Sequence, residues 1–314
     1  MTSAKKTEAA QILKWLPERI NGRDVNKGTF GHVLVLSGSA GLVGSAVMVA
    51  EASARVGAGL VTLAVPQDLQ AQVVSKLSPA IMTRGLKQTA HGTFAETALP
   101  AALELTRKAT VVALGPGLGT GDQLAAFVCE FVARCPVPLV LDADGLNLLS
   151  QQPDRGESIL KSRTPATVLT PHPGELGRLL SLTTADVQRD RPAAIELAVK
   201  NYGCVVLLKG AQTLILDPDG NSFLNSTGNP GMATGGTGDV LTGVIAGLLA
   251  QHLDPLHAAV VGAYLHGKAG DLFVAETGGC TGLMATDLIG WLPKAIASCQ
   301  RHGRPLAEGS GDQV

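Results

Sequence analysis

The chain has 314 residues, 45% of them hydrophobic but only 3% aromatic, and a formal net charge of −1. That length suits one large α/β domain or two ordinary ones, and the near-neutral charge argues against a nucleic-acid or acidic-membrane partner. Cysteines at 129, 135, 204, 280 and 299 show no CxxC pair and no zinc spacing, Lys5-Lys6 leads into polar sequence, and no apolar run approaches the ~18 residues of a membrane span, so the reading is a cytoplasmic protein with reduced, mostly core thiols.

Residues 1–10 are read as polar and frayed, and 12–16 as a short helix ended by Pro17. Asn26-Lys27-Gly28-Thr29-Phe30-Gly31 turns the chain into a strand at 32–37, a continuous apolar run that implies burial on both faces of a central parallel sheet. Gly38-Ser39-Ala40-Gly41 and Gly44-Ser45-Ala46 then open a small-residue helix reaching Val56, the strand–loop–helix layout that faces ligands in open α/β sheets. A strand at 60–65 follows, while 66–93 shows no clear period; a helix at 95–107 leads to a strand at 110–114. Gly115-Pro116-Gly117-Leu118-Gly119-Thr120-Gly121 opens a helix at 122–134, and its glycine density favours backbone contact with a ligand over a turn that only reverses direction.

The strand 138–141 ends in Asp142-Ala143-Asp144, where ligands bind in this fold class; for each carboxylate, helix capping and a role toward metal or water both stay open. After a strand at 166–170, two prolines brace His172, and Glu175 suits the first turn of a helix at 176–181. The other histidines lack such settings and read as structural or surface residues. A helix at 186–201 precedes the strand 204–209, whose terminal Lys209 suits either a phosphate or solvent. Strands at 213–217 and 222–225 around Pro218-Asp219-Gly220-Asn221 form an antiparallel edge.

Asn229-Pro230-Gly231-Met232-Ala233-Thr234-Gly235-Gly236-Thr237-Gly238-Asp239 then feeds an apolar helix reaching Gln251. Glycines at 235, 236 and 238 leave the first N–H groups of that helix open to a close anion. Asp239 at the same mouth suits either a base that takes a proton from a hydroxyl or a simple helix-start charge. Helices at 255–274 and 285–298 and a polar tail at 301–314 complete a single domain, 1–314, with a core at about 20–300. Alternating helix-period and strand-period segments predict a doubly wound α/β fold, a mostly parallel central sheet with helices on both faces. No P-loop, no G-x-S-x-G elbow and no metal-ligand spacing occurs. What remains suits phosphoryl transfer from a nucleotide to an alcohol, where catalysis is mostly positioning and charge neutralisation.

Residues 229–243 resemble the signature of the ribokinase-like superfamily. Taken with Lys27-Gly28-Thr29-Phe30-Gly31, the 38–46 and 115–119 glycine loops, Thr170-Pro171-His172-Pro173-Gly174-Glu175 and Lys209-Gly210-Ala211-Gln212-Thr213, the chain is similar to the ADP-dependent (S)-NAD(P)H-hydrate dehydratases. The resemblance implies repair of hydrated NADH and NADPH: the hydroxyl is phosphorylated by ADP or ATP and phosphate is then eliminated. It implies that Ala46, Gly117, His172 and Asp239 contact the hydrated dinucleotide, that Lys209, Gly210, Ala211, Gln212, Thr213 and Gly238 hold the adenine nucleotide, and that Mg²⁺ bridges phosphates. Asp239 would be the base, with the amides around Gly236 and Gly238 as anion hole. It further implies a homo-oligomer, a tetramer in related proteins. The first matching element begins at Lys27, so the N-terminal epimerase domain common in the family is expected to be absent. A superfamily kinase of a vitamin-precursor alcohol and a non-catalytic nucleotide sensor are the rival readings.

Overall fold

Val-, Leu- and Ile-rich runs become strands because a strand covered on both faces has no use for a polar alternate position. The computed structural model describes residues 4–17 and 25–302. Over these the strands are β1 (Lys5–Lys6), β2 (His32–Leu36), β3 (Leu60–Pro66), β4 (Met82–Leu86), β5 (Val111–Leu114), β6 (Leu139–Leu141), β7 (Thr167–Leu169), β8 (Val205–Leu208), β9 (Thr213–Leu216) and β10 (Ser222–Asn225). They form one sheet in the order β1-β10-β9-β8-β7-β6-β5-β2-β3-β4, parallel except where β9 runs against β8 and β10.

The alternation along β2 sends Val33 and Val35 into one core and Leu34 and Leu36 into the other. Helices Val43–Val56, Thr237–Ala250, Pro255–Thr277 and Ala285–His302 cover the first face. Asp122–Arg134, Asp144–Ser150, Pro173–Leu180 and Arg191–Tyr202 cover the second. This is the doubly wound arrangement expected from the sequence. The chain leaves β2 for β3 on one side, and β5 lies on the other, so the loops after β2 and β5 diverge at a switch point and open a crevice. Gly38 N–H donates to the Pro116 carbonyl across it, at 3.1 Å.

The helices Val43–Val56 and Thr237–Ala250 pack backbone to backbone. A Cβ on Gly243 would lie 2.3 Å from the Val49 carbonyl oxygen, and one on Gly247 2.3 Å from Val56 Cγ1. Ser53 Oγ donates to both Val49 O and Gly243 O, at 2.8 and 3.0 Å. The close pair fixes where the start of Thr237–Ala250 emerges beside the crevice.

Several elements differ from the sequence reading. The stretch 66–93 contains a 3₁₀ turn, the helix Gln70–Val74 and the edge strand β4, whose half-exposed Met-Thr-Arg-Gly-Leu lacks the apolar signature of its neighbours. The helix expected at 186–201 is two, Thr184–Arg189 and Arg191–Tyr202, because the chain turns at Asp190, which caps the second by accepting from Ala193 N–H. Pro153–Ser162 is a further helix. Residues 4–10 are not frayed: β1 pairs with β10, and the helix that follows is Ala9–Trp15. Of the tail, Arg301 and His302 extend the last helix, and 303–314 lie outside the described residues.

Candidate active site

The apolar helix begins at Thr237, and its N-cap Gly236 is left-handed with φ of 90°. That conformation favours glycine, and a Cβ there would also push against the flexible end of Met48, at 2.4 Å from its Cε. No side chain caps this helix start, which leaves its first N–H groups available to an anion. Asp239 lies in the first turn. Burial, with Asp142 and Asp144 adding to it, raises its carboxyl to about 6 against the opposing hydrogen bond from Ser45 and the charge of Lys209. A carboxylate with that affinity for protons is matched to base work near neutrality. Nothing in the sequence singles out Ser45, because a serine among small helix residues carries no distinguishing pattern.

Beneath this turn lies a buried cluster. Lys209 Nζ donates to Asp142 Oδ1 at 2.6 Å and lies 3.6 Å from Glu175 Oε2. Asp142 Oδ2 accepts from Thr242 Oγ1 at 2.6 Å, so both Asp142 oxygens are committed. Lys209 therefore does not emerge into solvent. Burial alone would lower it, but Asp142, Glu175 and Asp239 outweigh that and hold its ammonium protonated above the usual lysine range. A Cβ on Gly238 would lie 3.4 Å from Lys209 Nζ, which places the cation directly against the helix start.

His172 caps the helix Pro173–Leu180. Its Nδ1 accepts from Gly174 and Glu175 N–H, and Glu175 Oε2 accepts from His172 N–H at 2.7 Å, a reciprocal capping box. An Nδ1 that accepts leaves the proton on Nε2, 3.2 Å from Glu175 Oε1. Burial, then the charges of Lys209 and Arg178, lower the imidazole pKa and favour the neutral form. Burial and the Asp142 charge raise Glu175 to about 7 despite Lys209. Glu175 is thus more than a helix-start charge: it joins His172 to Lys209. His266, expected from sequence to be structural or surface, is a half-buried ring hydrogen-bonded to the Thr237 backbone; desolvation lowers it to about 4, so it stays neutral.

The two carboxylates after β6 divide their roles. Asp144 Oδ2 accepts from Gly119 N–H at 2.9 Å and so fixes the glycine loop after β5. In that loop a Cβ on Gly115 would meet the Asp142 carbonyl oxygen at 1.8 Å, a glycine required by packing. Gly117 lies against Leu42 and Ser45, and Ala46, fully buried, sits one residue beyond the serine that bonds Asp239. The structure thus gathers Ala46, Gly117, Gly236, Gly238, Asp239, His172 and Lys209 along the C-terminal edge of the parallel strands.

Gly210, Ala211, Gln212 and Thr213 continue from Lys209 as a tight turn, with Gly210 at φ 148° and Gln212 at φ 59°. Thr213 Oγ1 donates to the Gly210 carbonyl, and Arg191 straps the turn by donating to the carbonyls of Leu208 and Ala211. Arg191 precedes a proline in a predicted helix interior, so nothing in the sequence marked it for this turn. A cavity of about 440 Å³ flanks the approach to the helix start, between residues 230–234 and 280–284. Another of about 630 Å³ lies between helix Arg191–Tyr202 and β9, and none of Asp142, Asp144, Glu175 and Asp239 lines it.

Among the described residues no three His, Cys, Asp or Glu side chains converge to hold a metal ion. Mg²⁺ accepts one or two carboxylates with phosphates and water, so this donor set fits an ion that arrives on a nucleotide, with Asp144, which is not fully buried, the carboxylate that would face it.

The family pattern described as NAD(P)H-hydrate dehydratase matches residues 33–294. The bifunctional NAD(P)H-hydrate repair enzyme of Moorella thermoacetica is 43% identical over 290 residues, covering 92% of this chain and 54% of that protein. The ADP-dependent (S)-NAD(P)H-hydrate dehydratase of Neisseria meningitidis is 39% identical over 274 residues, 86% of each chain. This chain spans about half the length of the bifunctional relatives it matches. Among solved structures, the ADP/ATP-dependent NAD(P)H-hydrate dehydratase of Bacillus subtilis, co-crystallised with ATP/Mg²⁺, superposes with a TM-score of 0.78 at 28% identity, covering 95% of this chain and 100% of that one. A ribokinase-like superfamily protein of Enterococcus faecalis gives 0.79 at 26% identity, covering 96% and 98%.

Proposed function

The chain belongs to the NAD(P)H-hydrate dehydratase family, and from that premise we propose that it restores NADH and NADPH from their S hydrates at the expense of ADP or ATP. The observation that carries the reading is the uncapped helix start at Gly236 with Asp239, raised to about 6, in its first turn. An anion hole beside a base of that strength suits phosphorylation of a hydroxyl.

Asp239 takes the hydroxyl proton as the oxygen bonds to the terminal phosphorus of the nucleotide and the bond to its bridging oxygen breaks. The amides around Gly236 and Gly238 receive the transferring group, and Lys209, fixed by Asp142 and Glu175, adds positive charge behind them. Phosphate then leaves the ring of this ester with the C–O electron pair. The ring nitrogen lone pair drives this departure, and loss of a proton from the adjacent carbon completes the ring double bond. Phosphorylation turns hydroxide, a poor leaving group, into a good one. A magnesium ion, when bound, would neutralise phosphate charge, and Asp144 is the residue that would hold it. His172 and the loop of Gly117 would orient the hydrated ring, and the turn from Lys209 through Gly210, Ala211, Gln212 and Thr213 the adenine nucleotide. A homo-oligomer in the cytoplasm is the setting this reading carries forward, and sedimentation of the purified chain tests the assembly.

The direct test incubates the protein with Mg²⁺, hydrated NADH and either ADP or ATP. Return of the reduced nicotinamide absorbance, with one phosphate released per ring, is expected. Accumulation of a stable phosphorylated alcohol would overturn the proposal in favour of a kinase, and binding without turnover in favour of a sensor.

A further inference from the structure

Arg178 is the cation in this region that no carboxylate claims. Arg107, Arg155 and Arg189 each pair with an acid, and Arg191 spends its guanidinium on backbone carbonyls. Arg178 is exposed, and its Nη1 donates to a neutral amide, Asn147 Oδ1, at 2.9 Å. Among the described residues no acid lies within ion-pair distance of it. Asn147 in turn reaches Asp144 Oδ1 through Nδ2 at 3.5 Å, and Asp144 Oδ2 accepts from Gly119 N–H. The guanidinium is thereby tied to the loop that carries Gly117, while its own helix is capped by His172. Its charge reaches the imidazole, where it helps keep the ring neutral.

The electrostatics of the floor give this position a purpose. Asp142, Asp144, Glu175 and Asp239 converge there against the single ammonium of Lys209, which two of them already hold. An anionic dinucleotide approaching such a floor meets repulsion unless a cation stands at the rim. A guanidinium presents five donors in a planar fork suited to phosphate, and only one of these has a protein partner here.

We propose that Arg178, held between the glycine loop and the His172 turn by Asn147, binds a phosphate group of the dinucleotide substrate. This rests on the substrate class proposed above. The pyrophosphate is present in both hydrates, whereas the 2′-phosphate is present only in the NADPH form, so the two sources separate experimentally.

The test measures kcat and KM for NADH hydrate and NADPH hydrate with Arg178→Ala and Arg178→Lys. Loss of a charged hydrogen bond is expected to raise KM by about tenfold or more with Arg178→Ala, leaving kcat near the unsubstituted value. Lysine should recover part of the loss, because it keeps the charge without the fork. Added salt should weaken the unsubstituted enzyme more than Arg178→Ala. An equal rise for both hydrates assigns the pyrophosphate, and a rise confined to NADPH hydrate assigns the 2′-phosphate. An unchanged KM for both, or a fall in kcat and melting temperature with KM unmoved, overturns the proposal and leaves Arg178 as a tie between helices. Binding of NADH and NADPH themselves, read by nicotinamide fluorescence without adenine nucleotide, keeps the arginine testable even if hydrate repair fails to appear.

Discussion

Asp239 is held in an environment that suits catalysis and not stability. Its carboxyl, ordinarily near 4, is raised to about 6 mainly by burial. A folded-state pKa above the unfolded one means that the ionised carboxylate opposes folding at neutral pH, a burden relieved as pH falls from about 6 toward 4. Asp239→Asn should therefore stabilise the protein by on the order of 1–3 kcal/mol at pH 7. It should also lower kcat by about 10²-fold or more while leaving adenine-nucleotide binding largely intact. Retained turnover would remove the aspartate from the base role. The same shift sets a pH dependence: the base works ionised, so kcat should decline as pH drops through about 6, and a flat profile from pH 5 to pH 8 would contradict it. Lys209 carries the opposite balance. Lys209→Met would leave Asp142, 1% exposed, without its cation. Breaking a buried pair from one side costs about 3–5 kcal/mol, so chemical denaturation should reveal a loss of that size together with weakened nucleotide binding.

The elements matter through how closely they approach one another. Helices Val43–Val56 and Thr237–Ala250 touch at Gly243 and Gly247, and through them the uncapped turn at Gly236 is registered against Ser45 and Met48. Gly247→Ala would place a methyl group 2.3 Å from Val56 Cγ1 and 2.7 Å from the Ser53 carbonyl oxygen. Overpacking of this kind costs about 1–3 kcal/mol. The expected outcome is a lower melting temperature with a parallel fall in turnover, since moving the helix moves Asp239. Alanine at Gly203, where no atom lies within 4 Å of the added Cβ but φ is 62°, separates strain from crowding: it should lower stability and leave turnover alone. The short helix Pro173–Leu180 makes the same point with hydrogen bonds. Its capping box is built from His172 and Glu175, so the cap that starts the helix also orients the imidazole.

Across the whole molecule, the site is assembled from loops that leave β2, β5, β6, β7 and β8 and from the start of the helix after β10. Ligands that bridge these segments should make unfolding more costly. At a concentration about 100 times its dissociation constant, ADP or ATP with Mg²⁺ should add roughly 2.7 kcal/mol, visible as a rise in melting temperature that grows with concentration. Absence of any shift would mean that the nucleotide does not bind the folded chain. Among the described residues no helix is long and apolar enough to cross a membrane, and the cysteines described are all free.

Much of this was legible in the order of residues. Continuous apolar runs identified the inner strands, because burial on both faces excludes polar positions. The glycines at 235, 236 and 238 identified the uncapped start of the helix Thr237–Ala250, because a turn free of side chains leaves those amides open. Edge elements were obscure: β4 is half exposed, and Lys5–Lys6 becomes a strand only because β10 is there to pair with it. What tertiary structure alone decided is the division of labour among charges. Asp142 and Asp144 are equivalent in sequence, yet one binds Lys209, 67 positions away, and the other fixes the Gly119 amide. Glu175 becomes a buried link, Ser45 a partner of Asp239 and Arg178 an unclaimed cation for the same reason. A side chain's protonation and partners depend on what the fold brings within a few ångströms of it, and local sequence carries no record of that distance.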